Sequence, residues 1–304
     1  MKEKTACPAQ PKSSPFVLVF VLFMMLMPQH AMGAEKITIG LLPEMNVFKQ
    51  KQRFKPLADY LSEKINIQVE LSILSRYGNI IERFKESNID AAFLGSFTGA
   101  LAISQLGVEP IARPVNTDGA STYCGYIFVR KDSGITSAAD MKGKTFAFVD
   151  KATTAGYIFP LAYLKRNQVS SIDDYLKSYS FTGSHDAAID SVLAGQADIG
   201  CAKNTIFDLV KKSNSRIDKE LTILATSPRV PSNGLCVRPD MAPATKERLR
   251  QELFNLHQSS QGAEVLKAMN YVRFVETTKD DYQPVFDLAA EAGISIKGYS
   301  YTNQ

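Results

Sequence analysis

Histidine and cysteine are scarce in this chain. Its 304 residues include three histidines and four cysteines. Without the leader described below, only His185 and His257 remain, too few for a His-rich metal site or a spaced zinc motif. No two cysteines stand at C-x-x-C spacing, which argues against a metal knuckle. No G-x-S-x-G elbow, Walker loop or G-x-G-x-x-G stretch occurs. That weakens the case for an enzyme without closing it, since triads are set by geometry rather than by local sequence. A couple of Cys124 or Cys201 with His185 is conceivable, but nothing nearby would activate the thiol. There is also no basic run with interleaved aromatics, and the net charge is only +4, so nucleic acid is not an expected partner. No cofactor and no metal are expected.

The amino terminus has the layout of a secretory signal. Lys2, Lys4 and Lys12 make a basic start, Pro15 to Met27 is an unbroken apolar run, and Gln29 to Ala34 ends in small residues. Residues 1–34 are read as the signal, cleaved near Gly33 or Ala34. A membrane span needs ~20 apolar residues, more than this run supplies, and an uncleaved anchor is the alternative. No cysteine follows the run to carry a lipid. The mature chain is expected in the periplasm, as a monomer. Cleavage removes three lysines and one glutamate, so +4 falls to about +2. About 270 residues then remain, room for one large domain or two lobes. In an oxidising compartment Cys124, Cys201 and Cys236 admit at most one bridge, with Cys124–Cys236 the candidate. The alternative is three small buried hydrophobes.

Hydrophobic periodicity predicts strands over 36–42, 67–74 and 90–94, with helices over 54–65, 79–85 and 97–105 between and after them. After a longer strand over 123–130 and the turn Lys131-Asp132-Ser133-Gly134, a second series begins. It has strands over 145–149, 178–181 and 198–202, each followed by a helical stretch, then strands over 221–225 and 233–237. The tail is mostly helical, with a short strand near 272–275. Such alternation is the mark of an α/β fold built on parallel sheets covered by helices. Two series joined by two extended crossings suggest two lobes with a cleft between them. Residues 35–130 would form lobe I, 131–230 lobe II, and 231–304 the return to lobe I. Hinges are expected near Arg130–Ser133 and Val230–Asn233.

The stretch Thr145-Phe146-Ala147-Phe148-Val149-Asp150-Lys151-Ala152-Thr153-Thr154-Ala155-Gly156-Tyr157 reads as a strand, a turn and two hydroxyl side chains at the mouth of a helix. Helix starts carry unpaired N–H groups and partial positive charge, so they favour anions. The pattern recurs as Gly183-Ser184-His185-Asp186. Two such mouths in one segment suggest a grip on a small oxyanion. Taken alone, Thr153 and Thr154 are ordinary capping residues. His185 at a helix start would tend to stay neutral and still donate a ring N–H.

Here the chain resembles the periplasmic phosphate/phosphite/phosphonate-binding proteins of ABC importers, which have the type II periplasmic binding protein fold. The matching elements are Ile39-Gly40-Leu41-Leu42-Pro43, Ser75-Arg76-Tyr77, Asp90-Ala91-Ala92-Phe93-Leu94-Gly95, Tyr123 with Ile127 to Ile135, and Thr153-Thr154-Ala155-Gly156-Tyr157. Gly183-Ser184-His185-Asp186, Ala197-Asp198-Ile199-Gly200 and Ser227-Pro228-x-x-Pro231 complete the set. Each is weak singly; their joint order is specific. The resemblance implies a solute receptor working with an inner-membrane ABC permease, and not an enzyme. It carries anion-holding roles onto Tyr77, Tyr123, Thr153, Thr154 and His185. Relatives that hold an amino-alkyl group place carboxylates where this chain has Thr205 and Asn233. An amino-alkylphosphonate is therefore disfavoured, and phosphate, phosphite or a simple phosphonate is expected. Ser96-Phe97-Thr98-Gly99 departs from the family pattern, so Ser96 and Thr98 either cap a helix or line the cleft. Glu44, near the cleft, is read as solvated or as a lobe-closing contact. The same fold can also signal to a membrane histidine kinase, or carry catalysis in pyrimidine-forming proteins through a Cys-rich motif absent here.

Overall fold

The computed structural model describes residues 36–300 apart from 75, 76, 78, 87 and 88, together with residues 1 and 6; of residue 79 it describes the backbone only. The apolar run Pro15–Met27, the expected cleavage region and Ser75-Arg76 lie outside the described residues. Among the described residues no helix is long and apolar enough to cross a membrane.

From Lys36 onward the chain forms one compact unit. It begins with β1 (Lys36–Leu41), α1 (Val47–Ile65), β2 (Gln68–Ile73), α2 (Asn79–Lys85), β3 (Ala91–Leu94), α3 (Ser96–Leu106) and β4 (Glu109–Asn116). The short β5 (Thr122–Tyr123) then leads into β6 (Gly125–Arg130) and β7 (Thr145–Phe148). A π-helical turn over Thr154–Ile158 runs into α4 (Phe159–Arg166), followed by α5 (Ile172–Tyr175), β8 (Ser178–Phe181), α6 (His185–Leu193) and β9 (Ile199–Lys203). Next come α7 (Asn204–Ser213), α8 (Arg216–Glu220), β10 (Leu221–Thr226), β11 (Val230–Pro231) and β12 (Gly234–Val237). The chain closes with α9 (Pro243–Asn255), α10 (Ser260–Met269), β13 (Tyr271–Val275) and α11 (Gln283–Glu291).

The strands make two large sheets. One has the order β13-β4-β12-β3-β1-β2 and the other β10-β6-β9-β7-β8, with β5 and β11 paired antiparallel as a third, two-stranded unit. Both large sheets are mixed rather than parallel. β1, β2 and β3 run parallel, as do β7, β8 and β9. β12 and β4, and likewise β6 and β10, are antiparallel to their neighbours. Arg130, where the first lobe was expected to end, is the last residue of β6, inside the five-stranded sheet. The antiparallel β5–β11 pair sits in the chain where it passes between the two sheets, in each direction.

Two elements depart from the sequence reading for identifiable reasons. β4 is internal, yet Pro110 and Pro114 within it cannot donate to a ladder. The pairing accommodates them through irregularities, between Leu235 and Cys236 beside Pro110 and between Tyr271 and Arg273 beyond Pro114. Helix α1 begins earlier than its apolar periodicity, because local bonds hold its polar first turns. The Asn46 side chain accepts from Phe48 N at 3.0 Å, Gln50 Nε2 donates to Leu42 O, and Arg53 donates to Met269 O. The three cysteines are free and buried. The Cys124–Cys236 bridge is therefore absent, and burial raises the pKa of each thiol. Cys236 packs into β12 facing the Tyr282 hydroxyl, while Cys201 donates to Gly156 O.

Candidate functional site

The parallel strands of both sheets deliver their carboxyl ends to one region. Glu44 follows β1, Tyr77 follows β2, Ser96 follows β3, Thr154 follows β7, His185 follows β8, and Lys203 ends β9. Asn233 precedes β12, whose first residue pairs with the last residue of β3. This is where open α/β sheets place ligands. All seven residues are buried.

Three hydroxyls meet at its centre. Ser96 Oγ lies 2.7 Å from the Tyr123 hydroxyl and 2.6 Å from Thr154 Oγ1. Ser96 is the first residue of α3, Thr154 opens the π-helical turn, and Tyr123 comes from β5. Gly95, at the N-cap of α3, has no side chain with which to cap, so the backbone N–H groups of that first turn are left for other partners. The π turn is possible because residue 156 is glycine: a Cβ there would run into the side chains of Val149 and Thr153. π-helical turns recur at functional positions. Burial pushes the Tyr123 phenol up to about 12, with Ser96 and Thr154 partly opposing the rise, so it is protonated at neutral pH.

His185 is the first residue of α6. Its Nδ1 accepts from the Lys203 backbone N–H at 3.2 Å, which places the ring proton on Nε2. Burial lowers its pKa to about 4, so the ring is neutral at neutral pH. The ring meets Tyr77 edge-on, centroids 6.3 Å apart. The Tyr77 hydroxyl is buried and has no hydrogen-bond partner among the described residues, and burial raises its pKa well above the ordinary phenol value.

Thr153 behaves differently from its neighbour. Both its hydroxyl and its N–H donate to Asp150 O, at 2.6 and 3.0 Å, so its side chain secures the turn. Thr205 is half-buried on α7 and lines a separate groove with Arg53, Asn116 and Asp208. It is the second residue of α7, whereas Lys203 two residues earlier ends the strand and lies against the Tyr123 ring. Thr98 donates back to Gly95 O.

Lys203 is the residue that sequence reasoning missed. Its Nζ lies 3.0 Å from Glu44 Oε1 and donates to Asn233 Oδ1 at 2.8 Å. It also sits 4.4 Å from the centre of the Tyr123 ring. The Lys203 and Glu44 side chains are only 6% and 4% exposed. Burial opposes charge on both partners and lowers the Lys203 pKa, while Lys203 and Arg53 hold the Glu44 carboxyl below the usual range; the 3.0 Å contact has the geometry of an ion pair. Glu44 is thus the contact between the sheets, not a solvated acid. Its carbonyl also accepts the His185 backbone N–H at 3.1 Å, and Asn46 N donates to Asp186 Oδ2 at 3.0 Å. A lone lysine closing the apolar run Ile199–Lys203 was the available signal.

The family described as "ABC transporter, phosphonate, periplasmic substrate-binding protein" matches residues 39–282. The chain belongs to that family. It is 23% identical over 279 residues to the phosphonates-binding periplasmic protein of Escherichia coli, covering 90% of this chain and 82% of that one. It is 30% identical over 182 residues to the phosphate-import protein PhnD of Mycolicibacterium smegmatis, covering 57% of each. Among solved structures, a binding component of an ABC phosphonate transporter from Pseudomonas aeruginosa superposes with a TM-score of 0.80 at 23% identity, covering 86% of this chain and 87% of that one. PhnD1 from Prochlorococcus marinus, in complex with methylphosphonate, superposes with a TM-score of 0.77 at 19% identity, over 85% and 98% of the two chains. The fold is therefore the two-lobed α/β fold of type II periplasmic binding proteins, and the protein is a periplasmic-type substrate-binding component of ABC transport.

Proposed function

We propose that the chain captures a small phosphorus oxyanion (phosphate, phosphite or a simple phosphonate) between its two lobes and presents it to an ABC permease. The observation that carries this reading is the Ser96–Tyr123–Thr154 cluster. Three buried hydroxyls from three separate elements converge between two helix starts, with the His185 Nε2–H and the Tyr77 hydroxyl close by. An oxyanion needs many donors and few acceptors, and in a site shielded from water each such bond counts for more. The names of the relatives point the same way, since they include phosphate import, methylphosphonate and a probable phosphite binder.

In this proposal residues 1–34 are a cleaved signal that sends the chain to the periplasm. The lobes cross over at β5 and β11, and closure swings them about that pair. Lobe I comprises the six-stranded sheet, lobe II the five-stranded one. The protein performs no chemistry; its role ends with handing over the solute. A thermal-shift panel of phosphate, phosphite, methylphosphonate and sulfate tests the reading, because a ligand that binds only the folded state raises the melting temperature. A saturable rise with at least one phosphorus oxyanion and not with sulfate is expected. No rise with any of the three phosphorus compounds overturns it.

A further inference from the structure

We propose that Lys203 is a specificity-determining residue, which restricts the solute's substituent to one without positive charge. This inference rests on the binding reading above. The Lys203 ammonium is buried, reaches Glu44 and Asn233, and lies against the ring of Tyr123, whose hydroxyl belongs to the central cluster. The ammonium orients Asn233, and the backbone N–H of the same residue sets the tautomer of His185. Asn233 gives its Oδ1 to Lys203 at 2.8 Å, so the amide presents N–H donors on its remaining side. His185 accepts the Lys203 backbone N–H at Nδ1, so its other ring nitrogen also carries a proton. The Tyr77 hydroxyl, without a partner among the described residues, is a further donor. Of the carboxylates nearby, Glu44 is paired with Lys203 at 3.0 Å, Asp186 accepts from the Asn46 and Ala187 backbone N–H groups, and the buried Asp150 accepts from the Ala152 N–H.

A solute entering this site therefore meets donors and an ammonium. Oxygen acceptors on the solute satisfy those donors, and a plain alkyl group leaves the ion pair undisturbed. A solute ammonium would face a like charge at short range in a medium that screens poorly, and the carboxylates nearby already have partners. Selectivity here works by rejection as much as by attraction.

Calorimetric titration of propylphosphonate against its isostere 2-aminoethylphosphonate tests this directly, with propanesulfonate and 2-aminoethanesulfonate run in parallel. The wild type is expected to favour the uncharged tail by at least about tenfold. Because Lys203→Met alone would strand the Glu44 carboxylate, the variant compared is Glu44→Gln/Lys203→Met, in which the preference should shrink to within about twofold. Should the double variant not fold, Glu44→Gln/Lys203→Gln replaces it, and the wild-type ratio by itself remains decisive. Equal wild-type affinities for the two tails, or a double variant that keeps the tenfold gap, overturns the inference while leaving oxyanion binding intact. Discrimination within the sulfonate pair when neither phosphonate binds upholds Lys203 and counts against a phosphonate solute. Failure to bind any of the four compounds overturns the inference, while the phosphorus reading is decided by phosphate, phosphite and methylphosphonate.

Discussion

The two helix starts that the sequence singles out as anion mouths, at Thr153–Thr154 and at Ser184–His185, turn out to be unlike each other. The second is already filled from within. Ser184 caps α6, Asp186 puts a carboxylate into the first turn, and the first backbone N–H of the helix donates to Glu44 O. What this mouth offers a solute is the His185 ring, not the helix backbone. At the first mouth Thr153 and Asp150 close the turn, while Thr154 turns outward to meet Ser96 across the gap between the sheets. Its true counterpart is the start of α3. An uncapped helix start is a feature of three-dimensional surroundings, so the residue types at a mouth do not reveal whether it is vacant.

The largest effect that would sharpen this contrast lies at the filled mouth. Lys203→Met should destabilise the fold by about 3–5 kcal/mol, since Glu44 would be left buried and unpaired. Chemical denaturation with Glu44→Gln/Lys203→Met as reference checks it, and the double variant should recover most of the loss. A slightly smaller effect comes from His185. Its pKa falls from 6.5 in the unfolded chain to about 4 when folded. The unfolded state therefore binds the extra proton between those values, and stability is lost as pH drops from 6.5 to 4. The contribution is about 3 kcal/mol. Melting curves of the wild type and His185→Gln across that window should diverge, with the variant the less sensitive to pH.

At the vacant mouth the effects fall on affinity instead. Thr154→Val should weaken oxyanion binding by about 1–3 kcal/mol, the usual loss for a hydrogen bond to a charged group, with little change in melting. Ser184→Ala should do the reverse, removing a cap that contributes about 1 kcal/mol to stability while affinity stays within error. Calorimetry and melting on the same two variants separate the two roles. If both variants lost affinity equally, the contrast between the mouths would be broken.

Much of the architecture was legible because the strands that feed the site are short apolar runs between helical stretches, and because carboxyl ends of parallel strands collect in one place. Tyr77, Tyr123, Thr154, His185, Asn233 and Ser96 all lie in that region. β4 was illegible because its prolines argue locally against a strand, and only the bulged pairing with β12 and β13 reconciles them. The antiparallel strands were illegible as such, since direction follows from which sheet a segment joins. Thr205 came from the resemblance; Lys203 was overlooked because the strand continues to residue 203, beyond the expected end at 202. Glu44 stayed ambiguous because its partner is 159 residues away in sequence. Pairings of that kind arise only once both sheets are in place.

The central claim is that the Ser96–Tyr123–Thr154 hydroxyls hold the solute. Its most direct test is calorimetric titration of a Ser96→Ala/Thr154→Val variant with whichever of phosphate, phosphite or methylphosphonate the wild type binds most tightly. The account predicts at least about a hundredfold loss of affinity, near 2.7 kcal/mol, with a folded protein by melting. A folded variant that binds within about threefold of the wild type would contradict it.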